Sequence, residues 1–300
     1  MHNFYAFHSK LEYTVPMNTE DLQAFLSVAQ HASFSRAAES LHLTQPAVSK
    51  RIAALENQLD TRLFDRIGRQ VSLTEAGRTL QSHAQRIITE LEDSRRAIRN
   101  LSGEISGPLK IATSHHISLH RLPPVLHKFT RAYVDVQLDL GFMDSEIACR
   151  AVEQGELELA VVTLPEATNT ELTLINIWTD RLVLATSAEH PLRQETKITP
   201  GILANHAAIL PARGTYTREL IDKKLAISQV ETKLETHYLE TIKMLVSVGL
   251  GWSLLPSNMV EDELRPEQGQ HIVVERKLGI VHHPQRTLSN AALAFIDACH

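Results

Sequence analysis

The stretch AAESLHLTQPAVSKRI, residues 37–52, decides the fold of the N-terminal part of this chain. It contains two short helical patterns joined by a tight turn, and Thr44 is a natural N-cap for the second of them. Pro46 stands in the first turn of that helix, where its missing N–H costs nothing. Val48 and Ile52 begin a buried stripe and leave polar and basic side chains outside. This arrangement predicts a helix-turn-helix, a unit that places one helix in the major groove of duplex DNA.

The flanking residues extend this unit to a winged form. Ser33 is the expected N-cap of the preceding helix. Two apolar segments, 63–64 and 71–73, enclose a basic tip that contains a glycine, which is typical of a β-hairpin wing. We therefore predict a winged helix-turn-helix over residues 17–75. Residues 1–16 show little periodicity, and we expect a flexible N-terminal extension there.

The outer face of the second helix carries groups that suit DNA. Gln45 can offer an amide fork to adenine, and arginines neutralise phosphates. Ser33 and Thr44 are expected to cap helices first and to contact phosphate second. A solvated structural position remains an alternative for each arginine. The predicted DNA-binding residues are Ser33, Thr44, Gln45, Pro46, Ser49, Lys50, Arg51, Arg66 and Arg69.

A long helix follows the wing. Its apolar positions recur in alternating steps of four and three residues, which is the spacing of a coiled-coil seam. We expect this helix to join two copies into a homodimer; the alternative is an amphipathic helix packed on its own domain. A break that contains Gly and Pro at 102–108 ends it, so we assign residues 76–104 to a linker helix and hinge. The seam consists of Leu80, Ala84, Ile87, Leu91, Ser94, Ile98 and Leu101.

Residues 105–300 form the predicted C-terminal domain. Strand-like runs alternate with helical runs in a βαβαβ order, and a second set of the same kind follows. The last strand and helix return to the first set, so we expect two α/β lobes joined by crossing strands, with a cleft between them. Lobe 1 covers about 108–180 and 276–300, and lobe 2 covers about 181–275. The whole chain is therefore predicted to be an α/β multidomain protein.

The motif TSHH, residues 113–116, stands between the first strand of this domain and the next helix. Hydroxyls, imidazoles and backbone N–H groups at such a position suit a carboxylate or a small oxyanion. Simple capping of the helix is the alternative for the two hydroxyl residues. We therefore predict a small anionic effector between the lobes. The candidates are Thr113, Ser114, His115 and His116, with His237 and Trp252 from the second lobe.

Composition excludes several classes of protein. The net charge is −5, and residues 1–101 hold 12 Lys and Arg against 11 Asp and Glu, so the placement of charge and not its total points to DNA. No apolar run reaches the roughly 20 residues of a membrane span, and the N-terminus lacks the pattern of a secretory signal, so we expect a cytoplasmic protein. No motif of a nucleotide-binding loop, a serine hydrolase or a zinc protease stands in its required context. We therefore expect neither an enzyme nor a cofactor.

Histidines and cysteines leave two further interpretations open. The chain has 16 His, and His116 and His120 stand four residues apart, so both can face one ion on a helix. No cysteine or carboxylate falls at a matching ligand spacing, and we therefore predict no metal. Cys149 and Cys299 are far apart in sequence, which disfavours thiol sensing. A thiol- or metal-responsive regulator remains the alternative, and a solute-binding protein is a more distant one.

The motifs taken together resemble the LysR-type transcriptional regulators over residues 17 to about 298. The resemblance implies a winged helix-turn-helix, a dimerising linker helix and a C-terminal domain similar to periplasmic binding proteins, with a small effector between its lobes. It also implies a homotetramer and contact with RNA polymerase, and it adds Thr163, Leu164, Thr215 and Tyr216 to the effector site. The matching segments are DLQAF (21–25), SFSRAA (33–38), LTQPAVS (43–49), IAALE (52–56), LFDR (63–66), LTEAG (73–77), LP (122–123), GELELA (155–160), HPL (190–192) and VGLGWSLLP (248–256).

Overall fold

The chain forms two compact units, Met1–Glu92 and Asp93–His300. The computed structural model describes residues 17–67, 70–166, 170–226, 232–261, 264–266, 269 and 271–300. The predicted extension over 1–16 and the predicted DNA contact Arg69 lie outside the described residues. Within the part of the chain that the structure describes, none of the helices has both the length and the apolar character of a membrane span.

The first unit is a three-helix cluster followed by a β-hairpin, as the sequence predicts. Ser33 and Thr44 cap the second and third helices, because their side chains accept the backbone N–H groups of Arg36 and Ala47. The hairpin strands pair antiparallel. The elements are α1 (Thr19–His31), α2 (Phe34–Ser40), α3 (Gln45–Gln58), β1 (Phe64–Ile67) and β2 (Gln70–Leu73).

One apolar core holds these elements together. Phe25 of α1 and Ile52 of α3 are fully buried in it, and the ring centroids of Phe25 and Phe64 lie 5.3 Å apart. Gly77 lies where the next helix passes the hairpin, and a Cβ there would lie 2.2 Å from the carbonyl oxygen of Leu63. The close approach therefore requires a residue without a side chain. The result is a small unit that holds the outer face of α3 rigidly.

The long helix α4 (Glu75–Asn100) shares its apolar positions between two surfaces. Ala84 is fully buried and Leu80 packs beside it in the core of the first unit, so the first half of the predicted seam is wrong and the alternative of packing on its own domain holds there. Ile87, Ile98 and Leu101 stay exposed, with 43%, 70% and 85% of their surface accessible. The second half of the helix therefore carries an apolar face that its own chain leaves uncovered.

The end of α4 belongs to the second unit. Asp93 and Arg96 are both buried there, and they form an ion pair with each other. Arg286 donates to the Asp93 carboxylate at 2.8 Å, and Arg96 donates to the carbonyl oxygen of Thr287 at 3.0 Å. These polar contacts fix the last two turns of the helix on the C-terminal domain, which sequence periodicity gave no reason to expect.

The second unit contains a six-stranded sheet in the order β4-β3-β5-β10-β6-β9 and a two-stranded sheet, β7-β8. The first three strands of the larger sheet run parallel, and the two long strands run antiparallel to their neighbours. The strands are β3 (Gly107–Thr113), β4 (Val136–Phe142), β5 (Leu159–Thr163), β6 (Thr173–Ala185), β7 (Ala208–Pro211), β8 (Thr232–Thr236), β9 (Ser253–Pro256) and β10 (Val273–His282).

The helices alternate with these strands, as the βαβ pattern predicts. They are α5 (His115–His120), α6 (Leu122–Ala132), α7 (Ser145–Glu153), α8 (Pro200–Leu203), α9 (Tyr216–Leu225), α10 (Leu239–Ser247) and α11 (Asn290–Ala298), with a 3-10 turn at Pro191–Gln194. The chain breaks at Arg121 between α5 and α6. The two prolines that follow explain the break, since they lack N–H groups and fit only a first turn.

Two long strands join two lobes. The first part of β6 and the last part of β10 pair with each other and with lobe 1, whereas their other ends pair within lobe 2. Lobe 2 is predicted to start at about 181, and β6, which begins at Thr173, runs across this boundary. At the bulge in β10, a Cβ on Gly279 would lie 1.9 Å from the carbonyl oxygen of Ile175, so only glycine fits. The predicted architecture of two α/β lobes with crossing strands is confirmed.

Candidate functional site

The exposed face of α3 in the first unit presents most of the predicted DNA contacts. Gln45, Pro46 and Lys50 are exposed, and Ser49 is half-buried. The Gln45 side-chain amide donates to the Ser49 hydroxyl at 3.0 Å, which orders both groups on one turn of the helix. The amide fork of Gln45 therefore stands at the N-terminal end of the helix, where recognition helices contact base edges.

Arg51 differs from its neighbours, because a residue of α1 already holds it. Its guanidinium lies 2.5 Å from the Glu20 carboxylate and also donates to the Glu20 carbonyl oxygen at 3.3 Å. The Arg51 side chain is 29% exposed and the Glu20 side chain is 67% exposed. Phosphate contact by Arg51 thus requires exchange of an intramolecular partner for a phosphate oxygen.

The remaining predicted contacts have structural positions of their own. Ser33 and Thr44 are N-caps, with N–H···Oγ distances of 3.3 and 3.4 Å. The Arg66 guanidinium lies 4.2 Å from the centroid of the Phe34 ring, a cation–π contact on the exposed hairpin. Arg66 is exposed in spite of this contact, so its charge stays available to an anion.

The second unit contains a cleft between its lobes. Its free volume is only about 50 Å³, which suits a few water molecules, so a larger effector requires the lobes to separate. Six of the residues predicted from the sequence line it. The lining residues are Ser114, His115, His116, Asp144, Ser145, Glu146, Thr163, Pro211, Thr215, Thr217, His237, Leu239 and Arg276.

Two of the contacts that close this cleft from lobe to lobe involve carboxylates of lobe 1. The Glu146 carboxylate of α7 accepts the backbone N–H of Tyr216, at the start of α9. Burial raises the pKa of Glu146, and the hydrogen bond from Tyr216 opposes that rise. The His237 imidazole lies 2.9 Å from the Asp144 carboxylate. A carboxylate already present in the cleft is therefore bound by a backbone donor of the other lobe.

A buried ion-pair group lies beneath the cleft. The Asp180 carboxylate on β6 contacts Arg121 and lies 2.8 Å from Arg276 on β10. Burial opposes ionisation of Asp180, but the adjacent His116 imidazole, the charge and hydrogen bond of Arg276 and the hydrogen bond from Arg121 hold its pKa well below the usual range. Arg276 also donates to the Thr217 hydroxyl at 3.1 Å, while its buried Nε has no hydrogen-bond partner among the described residues.

Three histidines of α5 surround one carboxylate of lobe 2. Glu240 on α10 lies 3.2 Å from His115, 3.5 Å from His116 and 3.1 Å from His120. Burial raises the pKa of Glu240, but the nearby His116 imidazole, a hydrogen bond from its own backbone and the contact with His115 outweigh the burial and hold the pKa at about 2. Sequence reasoning missed Glu240, because 120 positions separate it from His120 and no spacing rule connects them.

Four predicted effector residues do not line the cleft. Trp252 is fully buried in the core of lobe 2, where its indole N–H donates to the carbonyl oxygens of Leu203 and His206. Thr113 is fully buried in the sheet, and Leu164 lines a separate hollow. Tyr216 contributes its backbone N–H, while its side chain packs beside Cys149. The apolar or sheet position of each side chain explains why it does not contribute to the cleft.

Both cysteines are buried and free. Burial raises the pKa of Cys149 to about 11 and that of Cys299 to about 12. Neither thiol therefore forms an appreciable fraction of the reactive thiolate at neutral pH. They also lie in different apolar clusters, which argues against the thiol-responsive alternative.

Comparison with known proteins places this geometry in a family. A family model described as the LysR substrate binding domain matches residues 102–300, and one described as a bacterial regulatory helix-turn-helix protein of the lysR family matches residues 19–78. The chain belongs to the LysR family of transcriptional regulators. It is accordingly a DNA-binding transcriptional regulator with an effector-binding domain, and not an enzyme.

Two relatives illustrate how far the similarity extends. A probable RuBisCO transcriptional regulator of Synechocystis sp. is 31% identical over 294 residues, covering 94% of this chain and 85% of the relative. An uncharacterized HTH-type transcriptional regulator of Azotobacter vinelandii, from an ibpB–leuC intergenic region, is 66% identical over 108 residues, which are 36% of this chain and 75% of that protein.

Solved structures show the same fold at low sequence identity. A full-length cysteine variant of OxyR from Pseudomonas aeruginosa gives a TM-score of 0.68 at 23% identity, covering 95% of both chains. Full-length CbnR in complex with its target DNA gives a TM-score of 0.59 at 20% identity, covering 94% of this chain and 98% of that one.

Proposed function

We propose that this LysR-type regulator binds operator DNA through α3 and the hairpin, and that a small anionic effector between the lobes of residues 105–300 controls it. The DNA-binding domain covers residues 17–75, and residues 76–104 form the linker. The DNA contacts are Gln45, Pro46, Ser49, Lys50 and Arg51 on α3, together with Arg66 and Arg69, while Ser33 and Thr44 contact phosphate beside their capping bonds.

One observation carries the choice of an anionic effector. The Glu146 carboxylate lies in the cleft and accepts a hydrogen bond from the backbone N–H of Tyr216, so the cleft already holds a carboxylate of its own chain. The start of α9 favours negative charge at that point. Ser114 lies opposite in lobe 1, and its side chain makes no capping hydrogen bond. An effector carboxylate that displaces Glu146 would gain this backbone donor and the Ser114 hydroxyl.

Control follows from a shift between two arrangements of the lobes. Displacement of Glu146 removes a contact between the lobes, so the effector favours the arrangement in which that contact is open. The shift requires different effector affinities in the two states. The partners we propose are a second copy of the chain through the exposed half of α4, a homotetramer built from two such dimers, and RNA polymerase. The expected site of action is the cytoplasm, where operator DNA lies.

A thermal-shift screen tests this proposal. Full-length protein is mixed with small carboxylates, amino acids and inorganic oxyanions, and we expect one class to raise the melting temperature, because a ligand stabilises the state that it binds. The hit is then titrated against Ser114→Ala, which loses a donor in the cleft, and we expect roughly tenfold weaker binding.

The control is Ser118→Ala, on the helix that follows Ser114 but outside the cleft lining, where the hydroxyl donates to the His115 carbonyl oxygen. It should bind the hit as the wild type does. Equal affinity in all three proteins would contradict the proposed position of the effector. A screen without any anionic hit would contradict its chemical class.

A further inference from the structure

The cluster of His115, His116 and His120 around Glu240 has a feature that effector binding does not use. Glu240 is in direct contact with three imidazoles, and among the described residues no Lys or Arg forms an ion pair with it. An imidazole, unlike the side chain of Lys or Arg, is not permanently charged. The Glu240 carboxylate is thus surrounded by imidazole nitrogens and, among the described residues, lacks a Lys or Arg ion-pair partner.

The spacing of the donor atoms fits one metal ion. His116 Nδ1 and His120 Nε2 lie 3.5 and 3.1 Å from Glu240 Oε1, and one ligand atom from each residue lies within 4.8 Å of the other two. Donor atoms of a tetrahedral zinc ion with bonds of about 2.0–2.1 Å lie ~3.4 Å apart. Two edges of the triangle therefore already match. His116 and His120 also stand one helical turn apart, so they face the same point.

His116 supplies an independent sign that a partner is missing. Its side chain is only 5% exposed, yet neither ring nitrogen has a hydrogen-bond partner among the described residues. A buried polar group of this kind costs free energy unless it is paired. Nδ1 points toward Glu240, and a metal ion there would satisfy it.

The other nitrogen of His116 has the surroundings of a metal ligand. His116 Nε2 lies 3.4 Å from the Asp180 carboxylate. Histidines that bind metals commonly turn their second nitrogen toward a carboxylate, which fixes the ring and its tautomer. His115 lies 3.2 Å from Oε2 of Glu240, so it orients the ligand carboxylate through the oxygen that the metal would not use.

We propose that His116 Nδ1, His120 Nε2 and Glu240 Oε1 bind one divalent transition-metal ion of the zinc type, which bridges the two lobes. Two imidazoles and one carboxylate form a donor set of known three-ligand zinc sites, in which water takes the fourth position. Imidazole nitrogen selects this class of ion over calcium and magnesium, which prefer oxygen. The ion joins α5 of lobe 1 to α10 of lobe 2 and so sets how far the cleft opens, whatever effector binds there.

Equilibrium dialysis of the full-length protein against Zn²⁺ tests the site. We expect one tightly bound ion per chain, with Mg²⁺ in excess unable to displace it. Loss of a residue that only hydrogen-bonds to a metal ligand weakens metal binding ~10–100-fold. His120→Gln and Glu240→Gln each remove a ligand itself and should weaken zinc binding by more than that. Both side chains are about one-third exposed, so the variants should fold, and thermal melting without metal checks this. Bound Co²⁺ should show visible absorption bands in the wild type that both variants lose.

The matched control is His127→Gln, which removes an exposed histidine of α6 away from the cluster. A control is needed because the chain has 16 His, and exposed ones could bind zinc weakly. His127→Gln should keep the wild-type zinc stoichiometry and affinity. Absence of a stoichiometric ion in the wild type would overturn the proposal. So would zinc binding that persists in His120→Gln and Glu240→Gln. Neither result bears on the anionic effector, because the Ser114 titration is carried out without added metal.

Discussion

At the scale of single residues, Arg51 shows how a DNA contact is held before DNA is present. Glu20 pairs with it from α1, and the Glu20 side chain of this pair is 67% exposed. An exposed ion pair contributes only about 0.2–1 kcal/mol, so a phosphate can replace the Glu20 carboxylate at little cost. Glu20 also places a negative charge beside the DNA path. The pair should therefore orient Arg51 while lowering the affinity for DNA.

Opposite effects are expected from the two members of this pair. Arg51→Ala should weaken operator binding by about 1–3 kcal/mol and reduce its salt dependence. Glu20→Gln should strengthen binding, since it removes a repulsive charge and frees the guanidinium. Fluorescence anisotropy at fixed ionic strength measures both. Arg131→Ala, which removes an exposed charge of the second unit, is the control. Weaker binding by Glu20→Gln would contradict this account.

Among the helices, α4 departs most from its prediction. The sequence predicts one continuous dimer seam along it, but its apolar positions are divided between the core of the first unit and an exposed face. Leu80 and Ala84 pack on the first unit, and Asp93 and Arg96 anchor the end of the helix on the second. The heptad spacing could not reveal this, because a 3.5-residue period describes apolar spacing and not the partner that covers it. What remains for a second copy of the chain is the exposed group Ile87, Ile98 and Leu101.

Charge placed in this exposed group should weaken the dimer without unfolding the protein. Ile98 is 70% exposed, so Ile98→Glu leaves the fold of its own chain intact. Sedimentation velocity should show a shift from dimer or tetramer toward monomer. Arg95→Glu introduces the same side chain at an exposed position outside the seam and should have a smaller effect. An unchanged oligomeric state in Ile98→Glu would exclude this face of α4 from the interface.

Much of the fold could be predicted from the sequence, and the exceptions have local causes. The N-cap Thr44, the first-turn Pro46 and the hairpin depend on contacts between residues close in sequence, so a short stretch of sequence is enough to predict them. Trp252 and Glu240 depend on which strands and helices become neighbours in space. The sequence could therefore suggest Ser114 and His116 for the cleft but could not place Trp252 in the core or bring Glu240 to His120.

At the scale of the whole molecule, stability of the C-terminal domain should depend on pH through Asp180. Its carboxylate is almost fully buried between Arg121 and Arg276, and its pKa is held below the usual range. A carboxyl group with a depressed folded pKa stabilises the fold above its unfolded pKa of about 4. That contribution is lost as the pH falls below about 4 toward the folded pKa.

Asp180→Asn should therefore destabilise the protein by about 3–5 kcal/mol at neutral pH, because it leaves two guanidinium groups without their carboxylate. The difference from the wild type should stay constant above about pH 4 and shrink below it. Urea unfolding at a series of pH values measures this. Asp135→Asn, at an exposed position, should change little. A difference that grows as the pH falls would contradict the assigned direction of the pKa.

Selection of duplex DNA from a random library by the full-length protein tests most directly whether α3 is the element that reads the operator. The wild type should select an interrupted palindrome with two half-sites, since a dimer presents two recognition helices. Gln45→Ala should lose preference at one symmetric position in each half-site and bind about 1–3 kcal/mol more weakly, whereas Lys50→Ala should weaken binding evenly across sequences. A selected site without symmetry, or a Gln45→Ala protein with unchanged base preference, would contradict it.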